Sequence, residues 1–343
     1  MTAKARRKRP SKGRSLARIC AAVFLFAFSA WLVAGVWFVH HPRKWLEERR
    51  AAWPAFATDA LLWIGNPAGD VTDGIGLTGE DAVVTLPRKA PSGEVLFAGA
   101  PVRVREPAPD DIKVLDRGEF LVGWSPRLRH PVWCAYHVPP EVRFESAPRP
   151  AFRKDGEAES SPVTTDFART GFDRGHMVPN YAIASRFGPE VQARTFLLSN
   201  VTAQSPALNR GIWREFEHRI SDLWTARWGE IWVIVGCVHG AGETLSGSDI
   251  DVPSMFWQLV VAQNGGEVRA LAVVIEQDVP WKAWPARYIA SIDELEEMTG
   301  LDLLSALPDG EEAALEAKTP SRLWPVRITD IARQLKNHIP ARD

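Results

Sequence analysis

An uncharged stretch near the N-terminus constrains this chain more than any other feature of the sequence. Ile19 to Val39 spans 21 residues without Asp, Glu, Lys or Arg, and it is rich in Ala, Val, Phe, Leu and Trp. At a rise of about 1.5 Å per residue, a helix of this length crosses the roughly 30 Å hydrocarbon core of a bilayer. No face of the stretch is polar, which argues against a helix of a soluble core. We therefore predict a transmembrane anchor over 19–39.

Basic residues before this stretch predict its orientation. Residues 1–18 contain eight Lys/Arg and no Asp or Glu, so the positive-inside rule keeps this basic tail cytoplasmic and sends the rest of the chain across. A cleaved signal peptide is the alternative, but its apolar stretch usually has about 7–15 residues and ends at a small-residue site. The longer stretch favours an uncleaved anchor. In a Gram-negative cell, the protein would be a single-pass inner-membrane protein with its main domain in the periplasm.

The net charge is unevenly distributed along the chain. The formal net charge is −1, from 41 basic and 42 acidic residues. Removing the eight basic residues of the tail leaves 33 basic against 42 acidic residues, a net charge of −9 for the remainder. Proteins that bind polyanions are more often basic. Any attraction to phosphate must therefore come from a local cluster of cationic side chains.

Beyond the anchor, we expect a juxtamembrane linker over 40–80 and one domain over 81–343. Apolar residues make up 45% of the chain and charged residues 24%, which is ordinary for a globular domain. Runs of β-branched and aromatic residues bounded by turn residues predict strands. These runs are Phe120–Trp124, Val132–Val138, Ile231–Val238, Met255–Val261 and Val268–Ile275. An apolar stripe from Ile212 to Trp224 predicts a helix, and the capping box at Ser291 predicts another that stops at Gly300. Because strands and helices do not alternate regularly, we predict the α+β class.

The segment Gly171 to Asn180 contains residue types that phosphodiester hydrolysis requires. Hydrolysis needs an activated water and a counter-charge for the developing anion. His176 can accept a proton near neutral pH, and the planar guanidinium of Arg174 suits phosphate oxygens. We interpret the glycine between them as one that permits a turn. The alternative for Arg174 is a structural salt bridge with its neighbour Asp173.

A second cluster follows some thirty residues later. Asn209, Trp213 and Glu217 recur every four residues, so on a continuous helix they would share one side. An amide oxygen and a carboxylate there suit a hard cation such as Mg²⁺, which often takes only one or two protein oxygens. Asn209 could also be a helix N-cap, a role that does not exclude metal binding. We expect His218 to point away from Glu217, towards the surface.

Both clusters resemble the DNA/RNA non-specific endonuclease family. The tetrapeptide Asp173-Arg174-Gly175-His176 is similar to its signature motif, and Ser199-Asn200 is similar to its Ser-Asn pair. Other segments extend the resemblance over roughly residues 111–310. These segments are Trp133–His137, Val252–Trp257, Thr299–Leu301 and Leu307–Asp309. Ala203 stands where the family usually has a proline, which would only stiffen a turn.

The resemblance implies a ββα-metal (His-Me finger) motif packed on a mainly antiparallel sheet. It also implies that His176 is the general base and that Asn209 is the single protein ligand of Mg²⁺, for which Mn²⁺ can substitute. Glu217 matches a glutamate that orients water on the metal, and Arg149 matches an upstream arginine that contacts phosphate. Asn200 is a further candidate site residue, with orientation of the local backbone as the alternative role.

For the function, the resemblance implies cleavage of DNA and RNA with little sequence preference, leaving 5′-phosphate ends. Homodimers are common in the family. Two alternatives use the same fold: a catalytically inert nucleic-acid-binding or scaffold module, and an envelope phosphodiesterase for small esters. The acidic main domain motivates the first of these, and the intact set of candidate residues argues against it.

Three cysteines give no disulfide framework. Cys20 lies in the predicted anchor. Cys134 and Cys237 each lie in a predicted strand, so they could form a disulfide if those strands are neighbours, or remain two buried thiols.

Overall fold

A computed structural model describes most of the region after residue 93 and little before it. The described residues are 21–31, 33, 84–85, 94–145, 148–239, 242–264, 266–281, 283, 285–317, 320 and 323–325. The chain divides into two units, Met1–Gly79 and Glu80–Asp343. The predicted basic tail, the ends of the predicted anchor and the linker at 40–80 lie outside the described residues.

In the first unit, residues 21–31 and residue 33 are helical. The rings of Phe24 and Phe28 stack along this helix with centroids 6.2 Å apart. Within the described parts of the chain, no helix has the combined length and apolar character that spanning a membrane requires.

The second unit is built on one large antiparallel sheet. Its longer strands are β3 (Lys113–Asp116), β4 (Phe120–Ser125), β5 (His130–Val138), β8 (Ile231–Val238), β9 (Met255–Asn264) and β10 (Glu267–Glu276). Two-residue strands β1 (Val84–Thr85) and β11 (Ile289–Ala290) both pair with β10. The order across the sheet is β1-β10-β9-β8-β5-β4-β3, and every pairing is antiparallel.

Two smaller ladders lie outside this sheet. Strands β2 (Val102–Arg103) and β12 (Leu301–Asp302) form one, and β6 (Asp173–His176) and β7 (Val201–Gln204) form the other. All five strands expected from the sequence are present, four of them one to three residues longer than predicted. The prediction of an α+β fold on a mainly antiparallel sheet is confirmed.

Both faces of the sheet are covered, because alternate side chains of each strand point to opposite faces. On β5, for example, Cys134 and Tyr136 belong to one apolar core, and Trp133 and Ala135 belong to a second core. A strand buried on both sides carries apolar residues at nearly every position. This burial explains why the strands were recognisable as continuous apolar runs.

Helices cover the two faces. The first core packs under α1 (Asn180–Phe187), and α2 (Pro189–Thr195) follows directly after it. The next helix, α3, is formed by four consecutive segments: Leu208–Trp213, Arg214–His218, Arg219–Trp224 and Thr225–Trp228. The predicted stripe of α3 is buried in the first core, where each large apolar side chain contributes about 1.5–3 kcal/mol.

Helices α4 (Ile292–Thr299) and α5 (Asp309–Glu316) cover the opposite face. The capping box predicted for α4 is confirmed. The Ser291 hydroxyl accepts from the Glu294 N–H at 2.9 Å, and the Glu294 carboxylate accepts from the Ser291 N–H at 2.9 Å. Helix α4 ends at Gly300, whose left-handed backbone (φ 69°) supplies the C-cap.

The two cysteines of the sheet are both buried free thiols. Their strands β5 and β8 are neighbours, but Cys134 lies opposite Val235 rather than Cys237. The Cys237 thiol instead donates to the Pro131 carbonyl oxygen at 3.2 Å. Of the two alternatives open from the sequence, the structure therefore has two reduced cysteines.

Candidate active site

The hairpin of β6 and β7 places His176 at its end. The two strands pair from Asp173 opposite Gln204 to His176 opposite Val201. A methyl group on Gly175 would lie 2.1 Å from the Gln204 side-chain oxygen, so the approach requires a residue without a side chain. The interpretation of Gly175 as a turn residue is therefore wrong: it lies within a strand, and packing explains it.

Asn200 fixes the backbone that follows His176. Its side chain is fully buried; Oδ1 accepts from the Val178 N–H at 2.9 Å, and Nδ2 donates to the Val178 and Thr195 carbonyl oxygens, both at 3.0 Å. The Asn200 carbonyl oxygen also accepts from the Met177 N–H at 3.0 Å. With its amide used in this way, Asn200 orients the backbone and does not line the cavity described below.

Two phenylalanines hold the imidazole ring of His176. The ring centroids of Phe152 and Phe196 lie 5.0 Å and 4.8 Å from it, and the Phe196 contact is edge-on. Within the described part of the chain, Nε2 of His176 is buried without a hydrogen-bond partner. Burial, assisted by the positive charge of Arg149, lowers the pKa of His176 to about 3. The ring is therefore neutral at physiological pH.

Helix α3 begins with a bend that fixes Asn209. The backbone of Gly211 is not helical (φ −102°, ψ −109°), and the residues around it form a wide π-helical turn. Nδ2 of Asn209 donates to the Asp173 carboxylate at 2.9 Å, so its Oδ1 is the atom left to act as an acceptor. The N-cap residue of this helix is Ala207, so Asn209 is not the helix N-cap that the sequence left open as an alternative.

The expectation that Asn209, Trp213 and Glu217 share one side of a continuous helix is wrong for the middle residue. Because the helix is bent, Trp213 is buried in the core, and its indole N–H donates to the His176 carbonyl oxygen at 3.2 Å. Asn209 and Glu217 nevertheless line the same cavity.

Asp173 pairs with Arg210 rather than with its neighbour Arg174. Two hydrogen bonds of 2.8 Å and 2.6 Å join the Arg210 guanidinium to this carboxylate. The hydrogen bond from Arg210 lowers the pKa of Asp173, although burial opposes the shift. Arg174 instead lies exposed, 4.9 Å above the ring of Phe152. The alternative of an Asp173–Arg174 salt bridge is not observed.

The Glu217 carboxylate faces the cavity without an ion-pair partner among the described residues. Loss of contact with water raises its pKa to about 8, although Arg149 and Arg214 act in the opposite direction. A carboxylate in such a place gains stability from any cation that enters the cavity.

One cavity of about 1010 Å³ joins these groups. Five of the six residues predicted to act at the site line it, namely Arg149, Arg174, His176, Asn209 and Glu217. Arg149 and Arg174 have no ion-pair partner in the described ranges, so both cationic groups face an open space. The cavity thus contains the local cluster of cationic side chains that the sequence required of any phosphate site.

The cavity is also lined by a hydrogen-bonded cluster of three polar side chains that the sequence did not predict. Asp222 accepts a hydrogen bond from the Tyr181 hydroxyl at 3.1 Å and lies 2.9 Å from Nδ1 of His218. All three residues line the cavity. His218 is exposed, as expected. It nevertheless lines the cavity next to Glu217, its neighbour on α3. No local motif links Tyr181 to Asp222, which are 41 residues apart.

A family model described as "DNA/RNA non-specific endonuclease" matches residues 100–310 of this chain. The match includes both strands of the β6–β7 hairpin, the whole of α3 and every residue of the cavity named above.

Curated relatives bear similar names. The chain is 28% identical over 199 residues to the mitochondrial nuclease EXOG of Xenopus laevis, an alignment that covers 52% of this chain and 55% of the relative. It is 31% identical over 166 residues to a nuclease of Nostoc sp., covering 44% of this chain and 57% of the relative. The chain thus spans just over half the length of these two relatives.

A chain in the crystal structure of an EndoG/EndoGI complex has the same fold. The TM-score is 0.54 at 19% sequence identity, and the match covers 60% of this chain and 91% of that chain. The architecture agrees with this neighbour, and the family model spans more than half of the sequence together with the residues of the cavity. The chain belongs to the DNA/RNA non-specific endonuclease family.

Proposed function

We propose that this protein is a Mg²⁺-dependent endonuclease that hydrolyses DNA and RNA without sequence preference. The main support for the proposal is that a neutral imidazole, an amide oxygen and a carboxylate line one cavity. These groups belong to His176, Asn209 and Glu217, and two arginines that have no ion-pair partner among the described residues line the same cavity.

The donor atoms fit a hard divalent cation. Oδ1 of Asn209 is oriented by the hydrogen bond that its Nδ2 makes to Asp173. Desolvation outweighs the attraction of Arg149 and Arg214 and raises the pKa of Glu217 to about 8, so a further positive charge nearby would favour its ionised form. Asn209 would hold Mg²⁺ directly, and Glu217 would act on its hydration shell. When bound, the ion would supply positive charge to the phosphate and to the leaving oxygen.

His176 is suited to activate the attacking water. Its ring is neutral, so the lone pair of Nε2 is available, and no other group among the described residues occupies that atom. The negative charge of a bound phosphate would raise the lowered pKa of His176 and so favour proton transfer to the ring. The Trp213 indole fixes the backbone of His176, and the two phenylalanines hold its ring, so the base is pre-oriented. Water that loses its proton to Nε2 attacks the phosphorus atom, the bond from phosphorus to the 3′ oxygen breaks, and the 3′ oxygen takes a proton from a second water molecule. The products are a 5′-phosphate and a 3′-hydroxyl.

Arg149 and Arg174 are suited to bind the phosphate. A guanidinium carries a permanent charge and can donate two parallel hydrogen bonds to phosphate oxygens. The ring of Phe152 supports the guanidinium of Arg174 from one side. Contacts to the phosphate backbone carry no sequence information, which supports the proposed lack of preference.

We also propose that the nuclease domain is anchored in the inner membrane and lies in the periplasm. The uncharged stretch Ile19–Val39 and the eight basic residues before it support this topology. A homodimer, as implied by the family resemblance, is a further part of the proposal. Membrane fractionation of cells, followed by light scattering on the detergent-purified protein, tests both parts.

The nuclease proposal is tested with the full-length protein in detergent and closed circular plasmid. We expect nicking and linearisation in Mg²⁺, no cleavage in EDTA, and loss of cleavage in His176→Ala. His239→Ala is the matched control, since this histidine contacts the Pro107 carbonyl oxygen and does not line the cavity. A folded protein that binds DNA but does not cleave it would point to the inert binding module. Cleavage of a small aryl phosphodiester alone would point to the small-ester enzyme.

A further inference from the structure

Among the described residues of the nuclease domain, one tryptophan is exposed. The side chain of Trp281 is 62% accessible to solvent, whereas every other tryptophan that the structure describes in this domain is at most 8% accessible. The buried ones are Trp124, Trp133, Trp213, Trp224, Trp228, Trp232, Trp257 and Trp324. An exposed indole beside a cavity offers a flat aromatic face on which a ligand can stack.

The backbone of Trp281 lies beside the start of α3. A methyl group on Gly211 would lie 3.6 Å from the Trp281 carbonyl oxygen, and Gly211 lines the cavity next to Asn209. The backbone of Trp281 therefore lies beside Gly211, at the rim of the candidate active site.

The segment that carries Trp281 is fastened to β7 and to the start of α3. Nε2 of Gln277 donates to the Ala203 carbonyl oxygen at 2.8 Å and to the Pro253 carbonyl oxygen at 3.1 Å. Its Oε1 accepts from the Ser205 N–H at 2.8 Å, and its backbone oxygen accepts from the Ser205 hydroxyl at 2.7 Å. Val279, between Gln277 and Trp281, is buried in the core. These contacts hold the segment in a fixed place relative to the site.

The charge around this rim suits a polyanion. Arg149, Arg174 and Arg214 are exposed, line the same cavity as Gly211 and have no ion-pair partner among the described residues, whereas Arg210 is paired with Asp173. Nucleic acid presents phosphates to such cations, and it presents flat bases to an aromatic ring when the bases are not paired. A cationic rim beside one exposed indole therefore favours nucleic acid over an uncharged apolar partner.

We propose that Trp281 stacks on an unpaired base of the nucleotide next to the scissile phosphate. The proposal rests on the nuclease function and specifies its substrate: single-stranded DNA or RNA, or a duplex that is locally open. In an intact duplex the bases stack on one another, so their faces are not accessible to the indole. Trp281 thus discriminates between strand states and not between base sequences.

The test measures binding of the full-length protein in detergent and EDTA, so that hydrolysis does not contribute. The ligands are fluorescently labelled (dT)12, the same backbone with abasic sites, and a 12-base-pair duplex. We expect Trp281→Ala to weaken binding of (dT)12 about tenfold, the effect of losing one stacked base. Binding of the abasic strand and of the duplex should change less than about twofold, because neither offers a base face.

Two further variants sharpen the test. Trp281→Phe keeps an aromatic face and should retain most of the affinity for (dT)12. Phe144→Ala removes another exposed aromatic side chain, one that does not line the cavity, and should have no effect on binding.

Equal binding of (dT)12 by the wild-type protein and Trp281→Ala would overturn the proposal, and so would an equal loss with the abasic strand. Trp281-dependent binding without any cleavage in Mg²⁺ would support the stacking proposal and refute the nuclease function. The two failures are therefore distinguishable.

Discussion

The side-chain amide of Asn209 donates a hydrogen bond of 2.9 Å to the carboxylate of Asp173. This contact joins the first turn of α3 to the first residue of β6, so the helix and the hairpin of the site are linked directly. It also determines which atom of Asn209 is available, because the amide nitrogen is used and the oxygen is free. In the proposed metal site, Asp173 would therefore act through Asn209.

The first prediction concerns this link. We expect Asp173→Ala to lower the apparent affinity for Mg²⁺ by about 10–100-fold, the usual effect of losing a residue that orients a metal ligand. High Mg²⁺ should restore much of the cleavage rate. The measurement is a Mg²⁺ titration of plasmid cleavage, and Arg210→Gln is the control, since it removes the other partner of Asp173 and leaves Asn209 in place. Equal Mg²⁺ dependence in Asp173→Ala and the wild-type protein would contradict this role.

The second prediction concerns pH. Desolvation raises the pKa of Glu217 to about 8 in the absence of metal, so the group is protonated below that pH. A cation that needs the carboxylate must displace this proton, and its affinity therefore falls as the pH decreases below 8. We expect the half-saturating Mg²⁺ concentration to rise by up to about tenfold per pH unit between pH 8 and pH 6.

Glu217→Gln provides the control for the pH prediction, because a neutral amide does not titrate in this range. Its Mg²⁺ affinity should be weaker at pH 8 and nearly independent of pH. A wild-type Mg²⁺ affinity that does not change from pH 8 to pH 6 would show that this carboxylate is already ionised.

The third prediction concerns Asn200, whose role is structural. Asn200→Ala removes three side-chain hydrogen bonds to the backbone of Val178 and Thr195 and leaves those buried groups unsatisfied. At about 1–3 kcal/mol for each such group, we expect the free energy of unfolding to fall by roughly 3 kcal/mol or more. Urea denaturation measures it. Asn180→Ala is the matched control, since Asn180 makes one side-chain hydrogen bond, from Gln192. A stable variant with lost activity would instead assign Asn200 a direct role.

Much of the fold could be predicted from local sequence, and the reason is burial. Strands β5 and β8 are covered on both faces, so their apolar runs stand out against the turn residues around them. Helix α4 is marked by side chains within one turn of its ends, Ser291, Glu294 and Gly300. In both cases the residues that determine the element are adjacent in the sequence.

The arrangement of the site depends on contacts between distant residues, and these could not be predicted. The bend at Gly211 turns Trp213 into the core, although the four-residue spacing places it with Asn209. Gly175 is required by the side chain of Gln204 on the partner strand, a relationship that no local pattern encodes. The spacing of residues in the sequence predicted which of them lie near the cavity. Their orientation depends on tertiary packing between residues that are distant in the sequence.

The role of His176 as the base is the central claim, and chemical rescue tests it most directly. In His176→Gly the ring is removed, and we expect the rate of plasmid cleavage at saturating Mg²⁺ to fall by about 10²–10⁴-fold, the usual contribution of a general base. Added imidazole should restore part of this rate with an acid limb set by the pKa of imidazole, and it should not rescue Glu217→Gln. A His176→Gly protein that cleaves at the wild-type rate would contradict the account.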